Sequence, residues 1–424
     1  MTEPARHPHR RTAARRAALA LLPVLLAASA CGGPADASGS GAGITVMTWA
    51  PTDSGAAAAH PGMTALAQAI GRQLDGQGGL AGHRLRVLTC DEHNTADGAT
   101  ACAEQAVNAG AVAVIGSYSQ FGDSFMPVLE NAGIPYLGGY GLSDPEFTSP
   151  LSYPVNGGMP ALLAGSGRQL VAAGCRTVAL IRPDTPVGDQ LADELAGALN
   201  PSDVRLVDVP AQQDSTDYTA TVRQAIGDDA PGDCVTTVLD PVPTLNLLDS
   251  YRRSDHHDIR LASVIGSVQQ SVLDSTGGDS GPLGGAYATG WYPPEAATVW
   301  DPLRATIQAD GDGNPALDDS DPGVQTTWVA YQVFQQAVRL LTGKPVTARN
   351  LRDVLDSGTP ITTGGATPPL AWGLTNMLAS ADWPRLVNTS VTFQQVQGGR
   401  LVEQRPGFVD TRWVLTGGKP PAGS

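Results

Sequence analysis

Residues 111–147, AVAVIGSYSQFGDSFMPVLENAGIPYLGGYGLSDPEF, constrain the fold more than any other stretch of this chain. An apolar run at 111–115 stops at Gly116 and is followed by four polar side chains, Ser117, Tyr118, Ser119 and Gln120. Phe125, Val128 and Leu129 then recur at helical spacing, and a second short apolar run fills 134–137. Strand, polar loop, helix, strand is the order that builds a parallel sheet covered by helices. In such sheets ligands lie just beyond the carboxyl ends of the strands. Ser117, Tyr118, Ser119 and Gln120 make one loop there, and Tyr140, Gly141, Leu142 and Ser143 make the next. Backbone N–H groups at the helix start after the first loop lack intrahelical partners and favour a carboxylate or carbonyl.

The alternation extends through most of the chain. Strands are expected at 44–49, 84–89, 111–115 and 134–137, with helices at 62–75 and 97–110. After a Pro-rich passage at 149–160 it restarts, with helices at 161–173, 188–199, 218–226 and 244–253. Strands at 177–182, 204–209, 235–239 and 259–265 interleave with them, and 285–291 returns extended. Two successive runs of this kind imply an α/β protein of two doubly wound, Rossmann-like lobes. Residues 326–341 (TTWVAYQVFQQAVRLL) carry the strongest helical pattern, and Thr347 caps a second helix at 348–355. A short β region closes the chain, 390–397, a turn at Gly398 and Gly399, then 401–403.

The N-terminal 30 residues read as a targeting segment. Arg6, Arg10, Arg11, Arg15 and Arg16 precede an apolar run at 17–30 that ends in small residues before Cys31. Small residues directly ahead of a cysteine resemble a bacterial lipoprotein signal, which implies lipid on Cys31. The paired arginines leave twin-arginine export open. Residues 31–43 are rich in Gly, Ala and Ser and read as a flexible tether. Of 26 basic and 41 acidic residues, the leader removes five arginines and Glu3, leaving 21 and 40, a net charge of −19. So acidic a chain makes a poor partner for nucleic acid. Four cysteines remain, an even number in an exported chain, which suggests disulfides. Three pairings are possible; Cys90–Cys102, across a short loop between a strand end and a helix, is favoured and leaves Cys175–Cys234.

The phrases VIGSYSQ (114–120) and NAGIPYLGG (131–139), with this order of elements, resemble the type 1 periplasmic binding proteins. The resemblance is to the branched-chain amino-acid (Leu/Ile/Val) group that feeds ABC transporters, and it runs from 44 to about 408. It implies a hinge of three passages, near 153–160, 288–293 and 361–365, each rich in Gly or Pro. Lobe 1 is then 44–155 with 290–362, and lobe 2 is 156–289 with 363–424. Ser119 matches the hydroxyl that holds the ligand carboxylate in amino-acid-binding relatives. In lobe 2 those relatives offer aromatic side chains from two loops and an acid from a third. This chain reads Asp184, Thr185, Pro186 and Val187 in the first, Asp240, Pro241 and Val242 in the second, and Gly266, Ser267 and Val268 in the third. An amino-acid ligand is therefore not carried over. Asp240 is left either to meet a cation or to cap a helix; Pro186, Val187 and Ser267 complete the expected lobe 2 contacts.

Three patterns suggest other chemistry and fail on context. Residues 278–282, GDSGP, resemble the serine loop of trypsin-like proteases, but no histidine has the setting a triad requires. Asp310, Asp312 and Asn314 share the spacing of a calcium loop, yet Pro315 stands where the turn needs Gly. His256 and His257 are adjacent and lack a third ligand. No metal, cofactor or catalytic residue is expected. The chain is read as a monomeric solute-binding lipoprotein on the outer face of the cell membrane. It closes by a hinge over a small polar ligand (amino acid, amide or related) and hands it to an ABC transporter permease. A sensing domain for a signalling partner is the alternative. An α/β hydrolase is the third reading, without a G-x-S-x-G elbow to support it.

Overall fold

The computed structural model describes residues 43–419 apart from 54–58, 228–231, 255–258 and 265. The Cys31 lipidation site, tether residues 31–42 and the His256–His257 pair lie outside the described residues.

Lobe 1 is built on β1 (Ile44–Ala50), β2 (Leu85–Asp91), β3 (Ala113–Ile115), β4 (Tyr136–Leu137) and β5 (Ser152–Tyr153), in the order β2-β1-β3-β4-β5. All pairings are parallel. Central β1 is apolar along nearly its whole length because helices cover both of its faces. The sheet of lobe 2 contains β6 (Thr177–Pro183), β7 (Arg205–Ala211), β8 (Asp233–Thr237), β9 (Arg260–Val264) and β10 (Tyr287–Gly290). Beyond β10 it continues with β11 (Ser390–Gln397) and β12 (Arg400–Asp410). The order is β12-β11-β10-β9-β8-β6-β7, parallel from β7 to β10 and antiparallel at β11 and β12. In both sheets the strand order reverses beside the first strand, at β1/β3 and at β6/β8. A ligand crevice is expected at such points.

The helix Pro322–Leu340 explains how the lobe 1 core is closed. Asp321 accepts the N–H groups of Gly323 (2.7 Å) and Val324 (3.0 Å), and Pro322 supplies a preset φ in the first turn. The helix is buried almost all round. Its Thr327 hydroxyl donates to Gly116 O (2.9 Å), at the end of β3. Gly116 has φ +58°, and a Cβ there would lie 2.7 Å from Thr327 Cα, so the close approach of helix and strand requires glycine.

Three passages join the lobes. The first follows β5 and the second follows β10. Asn156 ties them together, donating to the Tyr292 hydroxyl (3.1 Å) and accepting from Gly158 N (2.9 Å). Trp291 Nε1 donates to Gly158 O (2.9 Å). The third passage is a correction. Residues 361–365 form a bridge, Ile361 with Leu370, and the chain then stays on lobe 1: Trp372 Nε1 bonds Pro154 O (3.1 Å) and Arg385 Nε bonds Ser152 O (2.8 Å). The chain crosses at Asn388 and Thr389, where the Asn388 side-chain amide donates to Val155 O (3.1 Å). The lobe 1 boundary expected at 362 therefore moves to about 387. Gly and Pro mark a turn without fixing which sheet the chain rejoins.

Disulfides join Cys90 to Cys102 and Cys175 to Cys234, with Cα atoms 5.7 and 5.9 Å apart. The calcium-like loop has a different role: Arg72 pairs with Asp312 (3.1 Å) and docks this loop on the first helix, Pro61–Gly76.

Candidate ligand cleft

The carboxyl ends of both sheets face one cavity of about 60 Å3. Lobe 1 lines it with Tyr118 and Gln120 after β3 and with Tyr140 and Leu142 after β4. Lobe 2 contributes Pro183, Thr185, Val187, Gly188 and Leu191 around β6, and Gln213 beyond β7. Val238, Leu239 and Asp240 follow β8, while Val264 ends β9 and Gly266 and Ser267 follow it. Met159, just past the first passage, completes the wall.

Backbone N–H groups hold each loop. After β3 the Ser117 hydroxyl accepts the Trp49 N–H and the Ser119 hydroxyl accepts the Phe121 N–H, both at 3.0 Å. Both serines are fully buried. Side chains alternate along this extended piece, so Tyr118 and Gln120 turn the other way, into the cavity. Gln120 Nε2 donates to the Tyr118 hydroxyl (3.1 Å). After β4 the buried Glu146 carboxylate accepts from the N–H groups of Gly141 (3.0 Å), Leu142 (3.0 Å) and Ser143 (3.1 Å) and from the Ser143 hydroxyl (3.1 Å). Burial still holds its carboxyl above the ordinary range, against those bonds.

Aromatic rings connect this wall to the hinge. His60 packs on Tyr118 (centroids 4.1 Å), Tyr118 on Tyr140 (5.1 Å) and Tyr140 on Trp291 (5.0 Å). Neither His60 nitrogen has a hydrogen-bond partner among the described residues, and burial pushes the imidazole down to about 4, so it is neutral at pH 7.

In lobe 2 the Thr185 hydroxyl caps the helix Pro186–Leu199 by accepting Gly188 N (3.0 Å). Asp240 stands at the cap position of Pro241–Arg252 but makes no side-chain cap bond. Its side chain keeps a narrow opening to solvent, and burial pushes its carboxyl up to about 7. The lobes touch across the cleft: a Cβ on Gly266, φ +106°, would lie 2.9 Å from the Tyr140 hydroxyl. The two lobes therefore meet at this edge of the cleft.

Among the described residues Asp240 is the only charged side chain on the wall. Acids also stand behind it. Asp321 is pushed up to about 6 by burial. Fully buried Glu92 is pushed up to about 8, first by burial and then by the charges of Glu146 and Asp91. The Ser119 hydroxyl works against that shift without reaching hydrogen-bond geometry to either Glu92 oxygen.

Of the residues singled out from sequence, Tyr118, Gln120, Tyr140, Leu142, Val187, Asp240 and Ser267 line the cavity. Ser117 bonds Trp49 N of β1, Ser119 bonds Phe121 N and Ser143 bonds Glu146 instead, Gly141 packs against Gly158, and Pro186 opens a helix. Sequence reasoning missed Met159, Leu191 and Gln213, and the His60 and Trp291 rings behind the wall. Thr185 and Gly188 carried a usable signal, the pattern of a capped helix start.

A model of the family described as periplasmic binding protein matches residues 44–399. This chain belongs to that family. Solved structures share its fold at low identity. A substrate-binding periplasmic protein from Ralstonia solanacearum has a TM-score of 0.71 at 16% identity, over 85% of this chain and 100% of that one. A possible leucine/isoleucine/valine-binding protein from Rhodopirellula baltica has a TM-score of 0.73 at 13% identity, over 86% and 97%. An ABC transporter solute-binding protein from R. palustris, in complex with 4-hydroxybenzoate, has a TM-score of 0.69 at 16% identity, over 87% and 97%. A search of the curated proteins returns no match. The type 1 periplasmic binding fold of two α/β lobes is thus the fold of this family member.

Proposed function

We propose that this periplasmic binding protein captures a small polar ligand, such as an amino acid, an amide or a related compound, and delivers it to an ABC importer. In this reading it works as a lipoprotein, held on the outer face of the cell membrane through Cys31. One observation carries the proposal: among the described residues the cavity wall is built from both lobes, by strand ends, loops and helix starts at the carboxyl edges of two separate sheets, with Met159 beside the first passage between them. A ligand there contacts both lobes only when they close. Closure is then stabilised by the difference in contact between the open and shut forms, and the shut form is what a permease would recognise. Asn156, Trp291 and Asn388 join the passages into one hinge, so the lobes move about a defined line. A thermal-shift screen of the mature protein tests the reading. A ligand at 100 times its dissociation constant adds about 2.7 kcal/mol of stability. Panels of amino acids, amides, amines and aromatic acids that all leave the unfolding temperature unchanged would count against it.

A further inference from the structure

The charge pattern of the cleft narrows the ligand class, an inference that rests on the ligand-capture reading above. The wall carries one carboxylate and, among the described residues, no Arg, Lys or His. The serines best placed by sequence to grip a carboxylate do not line the cavity: Ser117 and Ser119 are fully buried, and the Ser143 hydroxyl donates to Glu146. An anionic ligand would meet no cation on the wall and would favour only the protonated form of Asp240, a cost that grows as pH rises above 7 and that desolvation makes larger. A cation meets the reverse situation. Asp240 makes no cap bond that would occupy it. Tyr118 and Tyr140 border the same cavity, and aromatic rings and hydroxyl oxygens are surroundings in which ammonium groups are stabilised. The rest of the wall is largely aliphatic, with Leu142, Met159, Val187 and Leu191 among it. A cavity of about 60 Å3 has room for roughly four to six water-sized groups at ~10–15 Å3 each.

We propose that the cleft selects a small organic monocation, an amine with a short aliphatic body and no carboxylate. Its charge lies against Asp240 beside Tyr118 and Tyr140, and its body lies on the aliphatic wall.

A matched series on one carbon skeleton tests this: isobutylamine carries the cation alone, valine both charges, isovalerate the anion alone, and isobutanol neither. Ethylamine, alanine and propionate repeat the comparison on a smaller skeleton. Binding is read by calorimetry and thermal shift on the mature protein. The proposal expects an amine to bind at least tenfold more tightly than its amino acid, acid or alcohol. It also expects Asp240→Asn to weaken that amine at least tenfold, since Asn keeps the shape and a good cap residue but removes the charge. Equal or tighter binding of valine or isovalerate, unchanged amine affinity in Asp240→Asn, or failure of both amines would overturn it. None of those outcomes touches the clamp. The clamp fails separately, if no compound in the wider screen contracts the protein in solution.

Discussion

Glu92 gives the sharpest physical prediction. It follows β2, is fully buried, and neither carboxylate oxygen has a hydrogen-bond partner among the described residues. Its carboxyl is pushed from 4.5 up to about 8, so the folded protein keeps a proton that the unfolded chain has released. A raised carboxyl of this kind contributes stability that is fully present below pH 4.5 and is lost as pH rises through 8. Each pH unit in that window is worth about 1.4 kcal/mol per proton, which sets an upper limit of ~5 kcal/mol across it. Water reaching part of the carboxyl in the opened ensemble reduces this, and about 2–3 kcal/mol is expected between pH 5 and pH 8. Glu92→Gln removes the titration while keeping the shape. Urea unfolding of both proteins at pH 5, 6.5 and 8 should therefore show the wild type losing about 2–3 kcal/mol relative to the variant as pH rises. His60, pushed down to about 4, gives the opposite trend below pH 6.5, but it is common to both proteins and cancels in the difference. Parallel curves would mean that Glu92 ionises in the folded state, and the reasoning would fail.

Further outcomes follow from other contacts. Ser119→Ala should lower stability by about 1 kcal/mol, because it removes the partner of the partly buried Phe121 N–H, and should leave ligand affinity within about twofold. A large loss of affinity at unchanged stability would put the hydroxyl back on the ligand. Gly266→Ala puts a methyl group 2.9 Å from the Tyr140 hydroxyl at a backbone angle that disfavours side chains, so it should weaken ligand binding by hindering closure; unimpaired binding would show that the lobes do not meet there. Cys31→Ser should move the protein from the membrane fraction to the soluble one, and unchanged membrane association would refute the lipid anchor.

Much of the fold was legible because both lobes repeat one signal, an apolar run, a Gly or polar break, and a helical period. Thr347 capping Ala348–Asp356 and the strand Ser390–Gln397 appear where the sequence puts them. The sequence predicts a last strand at 401–403, but it runs Arg400–Asp410, because Gln404, Arg405, Pro406 and Gly407 hide it behind polar and turn-forming residues. A register shift in β11 between Thr392 and Gln394 accommodates them. The position of the cleft was legible for the same reason as the fold, since strand ends can be read from sequence. Which side chains face it was not. In the extended piece 117–120 alternate residues point to opposite sides, and hydroxyl chemistry favoured Ser119 while the sheet turned Tyr118 and Gln120 inward. His60 and Trp291 reach the site from outside the two loops and carry no local motif, so only tertiary packing brings them to Tyr118 and Tyr140.

The central claim is that the two lobes close on a ligand. Small-angle X-ray scattering of the mature protein, alone and with the compound that most raises its unfolding temperature, tests it most directly. The account predicts a smaller radius of gyration with ligand, and a contraction that Gly266→Ala diminishes. A tightly bound compound that leaves the wild-type radius unchanged would contradict it.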